Sequence, residues 1–340
     1  MKLKQFCNIG INQRNKLVIN LLGVKISIKL AGKYLEYLDM FKRYGFSFNT
    51  IKDTKKKLRF YEKSYEKFLV YMLLRFFFTR KISIPHLEYK LLTKCSLNCK
   101  SCCHYAPYFK EQMEPVTFEY FKESLDKLLQ SVDLIYSFNF MGGDAMLHKD
   151  LYKMIEYAMS KKQIVNFNFT SNAILVPNDN FINTVKNKDN FIVYISDYRV
   201  NEILKPILKI NELERIFKRE NINYYILPAD PWHKSPEISV IEKYNTKSLD
   251  CWLSGCKTYA NGKMYFCPIQ FYADFNCLPL ENKVDELVDV MNGNEKNIEK
   301  ELISFYLKKQ YQFCSNCKLH TDKIVPNAEQ HIIVFICVII

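Results

Sequence analysis

The stretch that decides the fold class joins a short apolar run to a cysteine-rich loop. The run is His86-Leu-Glu-Tyr-Lys-Leu-Leu-Thr93, and the loop that follows directly is Lys94-Cys95-Ser-Leu-Asn-Cys99-Lys-Ser-Cys102-Cys103-His104. Three thiols with this spacing can ligate three irons of a cubane cluster, which leaves the fourth iron open to an exogenous ligand. The loop therefore predicts an open [4Fe–4S] site on Cys95, Cys99 and Cys102. The alternative is a zinc site with Cys103 or His104 as fourth ligand.

From Pro85 to about Leu227, short apolar or aromatic strands alternate with amphipathic helices. Alternation of this kind predicts a parallel sheet with crossover helices, and five or six such units favour a partial (β/α)6-type TIM barrel within an α/β fold. The predicted strands are 86–93, 134–140, 164–170, 191–196 and 224–227, and the predicted helices are 118–131, 151–161, 181–188 and 203–220.

The spacing and position of Cys95, Cys99 and Cys102 resemble those of the radical S-adenosylmethionine (radical SAM) superfamily. The resemblance implies that the amino and carboxylate groups of S-adenosylmethionine chelate the open iron, and that reductive cleavage releases a 5′-deoxyadenosyl radical. The superfamily often has an aromatic residue before the third cysteine, where this chain has Ser101.

Other strand ends extend the resemblance. Met141-Gly142-Gly143-Asp144 is similar to the Gly-Gly-Glu loop that meets the amino group of the cofactor's methionine in that family, with aspartate in place of glutamate. Ser171 and Asn172 end the next predicted strand, and Ser196 and Arg199 follow the one after. They resemble strand ends that contact the ribose and carboxylate of the cofactor.

A second batch of cysteines follows a break at Pro228, Pro231 and Pro236. Asn261-Gly262 predicts a type I′ hairpin with a cysteine on each arm, and a Cys-x2-Cys pair comes later. The hairpin resembles the SPASM and twitch domains of radical enzymes, which implies one auxiliary [4Fe–4S] cluster, while zinc stays an alternative. The predicted ligands are Cys256, Cys267, Cys314 and Cys317, with Cys251 and Cys277 as alternates.

The charge of the chain is concentrated at its beginning. Residues 1–84 hold 19 of the 49 lysines and arginines but only 5 of the 36 acidic residues. A basic segment fits either contact with an anionic membrane or a solvated surface, and nucleic acid is disfavoured because no nucleic-acid-binding motif accompanies it. This segment predicts a β-hairpin at 16–29 and a helix at 51–81, whose apolar part is too short to span a bilayer.

The chain of 340 residues is long enough for several units. We expect a basic extension (1–84), a radical SAM core (85–236), a cysteine-rich domain (250–330) and an apolar tail (331–340). The first thirty residues contain no secretion signal, which predicts a cytoplasmic protein, with the inner membrane face as a peripheral site.

The continuation Cys99-Lys-Ser-Cys102-Cys103-His104-Tyr105 resembles radical SAM proteins of bacterial surface-polysaccharide clusters. The resemblance implies an enzyme acting on a sugar or glycolipid, supplied with electrons by a reductant such as flavodoxin or ferredoxin. A peptide-modifying maturase is one alternative, and a non-catalytic zinc or iron–sulfur scaffold is another. The fate of the substrate radical stays open, with Cys103 as a candidate hydrogen-atom donor.

Overall fold

The computed structural model describes residues 7–11, 16–21, 24–43, 65–280 and 286–331. Parallel strands form the centre of its main sheet. β4 (Ile82–Ile84) and β5 (Leu87–Lys90) lie one after the other beside β6 (Val132–Met141). The interruption falls at Pro85, which has no backbone N–H to donate to a neighbouring strand. β7 (Ile164–Ser171), β8 (Phe191–Ser196) and β9 (Asn223–Leu227) follow in parallel. The predicted parallel sheet is confirmed.

The connecting helices bury their apolar faces against this sheet. They are α3 (Phe118–Ser131), α4 (Leu151–Met159), α5 (Asp179–Val185) and α6 (Ile210–Arg219), of which α3 buries Phe121, Leu125 and Leu128. Thr117 caps α3, because its hydroxyl accepts a hydrogen bond from the backbone N–H of Tyr120. The predicted helix 203–220 begins only at Ile210, since Pro206 interrupts the preceding turns.

The second cysteine-rich segment continues the same sheet. β11 (Thr258–Ala260) pairs in parallel with β5, and β12 (Lys263–Tyr265) and β13 (Val288–Asp289) extend the sheet beyond it. The predicted turn is confirmed, with positive φ at Asn261 and Gly262. Segment 250–330 therefore shares a sheet and a hydrophobic core with the preceding segment.

This described sheet is open, because its path ends in two different strands, β13 and β9. The partial-barrel form stays a prediction. A separate two-stranded sheet joins β10 (Trp232–Ile238) to β14 (Cys317–Val325). The described part of segment 250–330 also contains the helices α7 (Pro268–Phe275) and α8 (Glu295–Leu307).

The N-terminal segment forms a three-stranded antiparallel sheet. Its strands are β1 (Cys7–Ile11), β2 (Lys16–Leu21) and β3 (Val24–Lys29), so the predicted hairpin is confirmed. α1 (Lys33–Arg43) and α2 (Tyr65–Thr79) follow, and the first part of the predicted helix, 51–64, lies outside the described residues.

Helix α2 lies against the main sheet. Phe76 is buried and stacks on Tyr37 with ring centroids 4.3 Å apart, while Arg75 forms an ion pair of 2.5 Å with Asp133. Within the described ranges, no helix is long and apolar enough to cross a membrane. Of the predicted tail, only His331 is described.

Candidate functional site

The first cysteine loop lies at the carboxyl ends of the parallel strands. Cys95, Cys99 and Cys102 all line one cavity of about 400 Å³. Successive strands deliver their last residues to the same edge of a parallel sheet, and this edge is where such folds place their binding sites. Gly142, Gly143, Asp144, Asn172 and Ser196 line the cavity as well.

The Gly142-Gly143-Asp144 segment packs directly under the start of the cysteine loop. A side chain at Gly143 would place its Cβ 2.4 Å from the carbonyl oxygens of Thr93 and Lys94, so glycine is required there. The backbone N–H of Asp144 donates to the carbonyl of Lys94 at 2.9 Å. The two loops therefore have little freedom to move apart.

Ser96 connects three of the strand ends. Its hydroxyl donates to Oδ2 of Asp144 at 2.5 Å and accepts from Nδ2 of Asn172 at 2.8 Å. The other carboxylate oxygen of Asp144 accepts from the backbone N–H of Met146. Asp144 is buried, and its hydrogen bond with Ser96 holds the cysteine loop in position. The resemblance to the Gly-Gly-Glu loop does not imply this hydrogen bond.

Two predicted cofactor contacts do not line the cavity. Ser171 is buried, and its hydroxyl accepts a hydrogen bond from the backbone N–H of Ala173. Arg199 is 46% exposed and forms a two-pronged ion pair with Asp197. The described structure therefore gives both residues local partners within their own loops.

The cavity wall contains aromatic side chains that sequence reasoning missed. Tyr198 and Trp232 make an edge-to-face contact with ring centroids 5.6 Å apart, and His233 and Trp252 also line the cavity. Trp232 and His233 begin β10, directly after Pro231, so this strand starts within the predicted Pro-rich break and contains Pro236. The local sequence did not predict that these side chains line the cavity, because the pairing of β10 with the distant β14 brings them to this edge.

A buried polar group lies next to the cavity. Nζ of Lys90 is 3.1 Å from Nδ1 of His104, and burial lowers the pKa of His104 to about 4, so the imidazole is neutral near pH 7. Burial also lowers the pKa of Lys90. Cys256, predicted as an auxiliary ligand, interacts with the buried Glu88 and, electrostatically, with Cys103 and Cys267.

The structure brings four other thiols together. Cys317 is close enough to Cys267, Cys314 and Cys251 for their charges to interact, and all four are buried. Ser248 donates a hydrogen bond of 3.1 Å to Sγ of Cys314. The alternate Cys251 thus joins Cys267, Cys314 and Cys317, whereas Cys277 is exposed.

Burial disfavours the thiolate form of Cys95 and Cys99 in the first group and of all four thiols in the second. Burial raises the pKa of Cys95 and Cys99 to about 12 and that of Cys314 to about 11. A bound cation would favour their thiolate forms, because metal binding deprotonates its thiol ligands. Metal occupancy and thiol ionisation are therefore coupled at both sites.

The donor chemistry of Cys95, Cys99 and Cys102 fits an open iron–sulfur cluster. All three residues line the cavity, and Cys103 is the one other cysteine in the described part of its lining. Among the residues described, no three His, Cys, Asp or Glu side chains are grouped so as to hold a single metal ion. Cluster ligands bind different irons and so need not converge on one point.

No protein-family model matches the sequence, and no curated protein matches it. Solved structures that match this chain include anSMEcpe with bound AdoMet and a Cp18Cys peptide, at 16% identity and a TM-score of 0.33 over 42% of each chain. SuiB of Streptococcus suis, bound to the precursor peptide SuiA, has 12% identity and a TM-score of 0.37 over 65% of this chain and 54% of SuiB.

BtrN in complex with AdoMet and 2-DOIA has 12% identity and a TM-score of 0.37 over 71% of this chain and 98% of BtrN. The matches to anSMEcpe and SuiB span only about half of those proteins. At such distances these likenesses do not assign an activity, so the function rests on the residues of the cavity.

Proposed function

We propose that this protein is a radical SAM enzyme. The observation that carries the proposal is that Cys95, Cys99, Cys102 and the Gly142–Asp144 loop line a single cavity at the carboxyl ends of parallel strands. The three thiols would provide ligands for a cluster, and the glycine loop in the same lining would provide backbone polar groups for a polar cofactor.

Each residue of the cavity has a distinct part in this proposal. Cys95, Cys99 and Cys102 would hold a [4Fe–4S] cluster, and Gly142 and Gly143 would let the backbone approach S-adenosylmethionine. Asn172 and Ser196 provide hydrogen-bonding groups on the neighbouring strand ends. When bound, the cluster supplies one electron that cleaves S-adenosylmethionine and releases a 5′-deoxyadenosyl radical.

We assign an auxiliary cluster to Cys251, Cys267, Cys314 and Cys317. Cys317 interacts electrostatically with Cys251, Cys267 and Cys314, whereas Cys256 interacts with Cys267 of this group but more strongly with Glu88 and Cys103. This difference supports the set that contains Cys251. Four thiolates close a site, so an auxiliary cluster held this way would serve electron transfer or structure. Zinc is the other occupant that the sequence leaves open, but among the described residues no three ligand side chains are grouped to hold a single ion.

The substrate that we propose is a sugar or glycolipid of surface polysaccharide, and a modified peptide is the alternative. The support is the continuation Cys102-Cys103-His104-Tyr105, whose Cys103 and His104 line the cavity. A cytoplasmic reductant such as flavodoxin or ferredoxin would supply electrons. The basic composition of residues 1–84 suits work beside an anionic membrane surface.

The test is cofactor cleavage by anaerobically reconstituted protein with dithionite and S-adenosylmethionine. We expect 5′-deoxyadenosine from the wild type and from Cys277→Ala, a control that changes an exposed cysteine outside both thiol groups. Cys99→Ala should form none. Equal product from wild type and Cys99→Ala, or none from either, would contradict the proposal and favour a non-catalytic scaffold.

A further inference from the structure

Residues 326–331, which we call the C-terminal strap, lie directly on the first cysteine loop. Cys99 and Gln330 form an isolated antiparallel bridge. The backbone N–H of Lys100 donates to the carbonyl of Glu329 at 2.7 Å, and that of His331 donates to the carbonyl of Asn98 at 2.8 Å. The side chains of Lys100 and Glu329 add an ion pair of 2.6 Å. The strap thus follows the loop residue by residue.

The contacts of Gln330 determine how its carboxamide is oriented. Its Oε1 accepts from the backbone N–H of Asn98 at 2.8 Å, a group that can only donate. Its Nε2 donates to the carbonyl of Ala328 at 2.7 Å, a group that can only accept. A flipped amide would place like groups against each other at both positions. The second N–H of Nε2 is therefore the one that points at Cys99.

That second N–H donates to Sγ of Cys99 at 3.1 Å. Cys99 is only 7% exposed and Gln330 is half-buried, so water competes less for this contact than at the surface, and a hydrogen bond to an anion is stronger there. Hydrogen bonds to ligating sulfurs stabilise the more negative, reduced form of a cluster and raise its reduction potential.

We infer that Gln330 is a positioning residue that raises the reduction potential of the cluster on the first loop through its hydrogen bond to Cys99. This inference rests on the proposed function, because it requires Cys99 to be a cluster ligand. The neighbouring Glu329 contacts the same loop through Lys100 and has no contact with a ligating sulfur among its described interactions, which makes it a matched control.

The test is an anaerobic redox titration of the reconstituted full chain, followed by electron paramagnetic resonance as dithionite reduces the cluster by one electron. Gln330→Leu should lower the equilibrium constant for reduction about tenfold, which is a shift of ~59 mV for one electron. Gln330→Glu, which cannot donate when ionised, should shift it in the same direction. Glu329→Gln should leave it unchanged, with equal iron content in all four proteins.

An unchanged potential in Gln330→Leu with full iron content would overturn the inference, as would an equal shift in Glu329→Gln. If Gln330→Leu loses iron, wild-type protein labelled with ¹⁵N in glutamine side chains decides instead. A ¹⁵N coupling to the reduced cluster that is absent from Gln330→Glu supports the hydrogen bond, and no coupling in the wild type overturns it. A wild type that forms no cluster refutes the proposed function as well.

Discussion

The hydroxyl of Ser96 donates a hydrogen bond of 2.5 Å to Oδ2 of Asp144, which joins the cysteine loop to the loop after the next strand. Asn172 donates to the same hydroxyl from a third strand end. One small side chain thus links three neighbouring strand ends around the cavity. This link explains how a loop rich in thiols keeps a defined position before any cluster is bound.

Replacing Ser96 with alanine should destabilise the cluster-free protein by about 1–3 kcal/mol, because the buried Asp144 carboxylate loses a charge-assisted hydrogen bond. Urea denaturation of the reduced protein measures the change, and iron content after reconstitution should fall in parallel. Ser101→Ala, in the same loop, is the control and should be nearly neutral. Equal effects of the two substitutions would refute the special role of Ser96.

Gly143→Ala should be more damaging than Gly142→Ala. A Cβ at position 143 would lie 2.4 Å from two backbone carbonyl oxygens, whereas a Cβ at position 142 would lie 3.1 Å from the carbonyl of Leu92. We expect Gly143→Ala to cost at least ~1–3 kcal/mol and to impair reconstitution. Denaturation midpoints of the two variants, compared at equal pH, measure the difference. Matching midpoints would show that the two loops do not pack as described.

Cys251 and Cys256 offer a test of the second thiol group. Cys251→Ser should remove about four irons, since Cys251 joins Cys267, Cys314 and Cys317. Cys256→Ser should keep them, because the interactions of Cys256 with Glu88 and Cys103 outweigh its interaction with Cys267. Iron and zinc content of the reconstituted variants distinguishes the two ligand sets. The opposite pattern would restore Cys256 as the ligand.

Arg199→Met should change the pH dependence of stability without weakening binding of S-adenosylmethionine. Hydrogen bonds from Arg199 lower the pKa of Asp197, so the stability due to this pair is present above the unfolded aspartate pKa of about 3.9. It is lost as the pH falls through the lower folded pKa. The pair is partly exposed, so its contribution near pH 7 is at most ~1 kcal/mol.

Denaturation of wild type and Arg199→Met across the range from pH 7 down to acid measures this effect. The difference between the two proteins should shrink toward zero in acid. A difference that does not depend on pH would contradict the ion pair, and a large loss of cofactor affinity would restore Arg199 as a cofactor contact.

The sequence predicted the cavity because its parts follow consecutive strands. Cys95 follows β5, Gly142 follows β6, Asn172 follows β7 and Ser196 ends β8. In a parallel sheet those positions meet at one edge, so local periodicity is sufficient to bring them together. Helix α3 was predicted at its observed bounds, because its apolar residues recur at regular helical spacing.

Contacts between distant parts of the chain could not be predicted in this way. Gln330 and Cys99 are 231 residues apart in the sequence. Thr258 of β11 pairs with Glu88 of β5, 170 residues away. Cys251 and Cys256 are both near the hairpin, so spacing alone did not separate them. The different surroundings of Cys251 and Cys256 arise from the pairing of β11 with β5, which could not be predicted from the local sequence.

The central claim is tested most directly by iron and sulfide analysis combined with electron paramagnetic resonance of the reduced, anaerobic protein, before and after adding S-adenosylmethionine. About eight irons in the wild type, about four in a Cys95/Cys99/Cys102 triple-alanine variant, and a signal that shifts only when those cysteines are present would agree with one open and one auxiliary cluster. Zinc in place of iron, or a wild-type signal that does not change when S-adenosylmethionine is added, would contradict it.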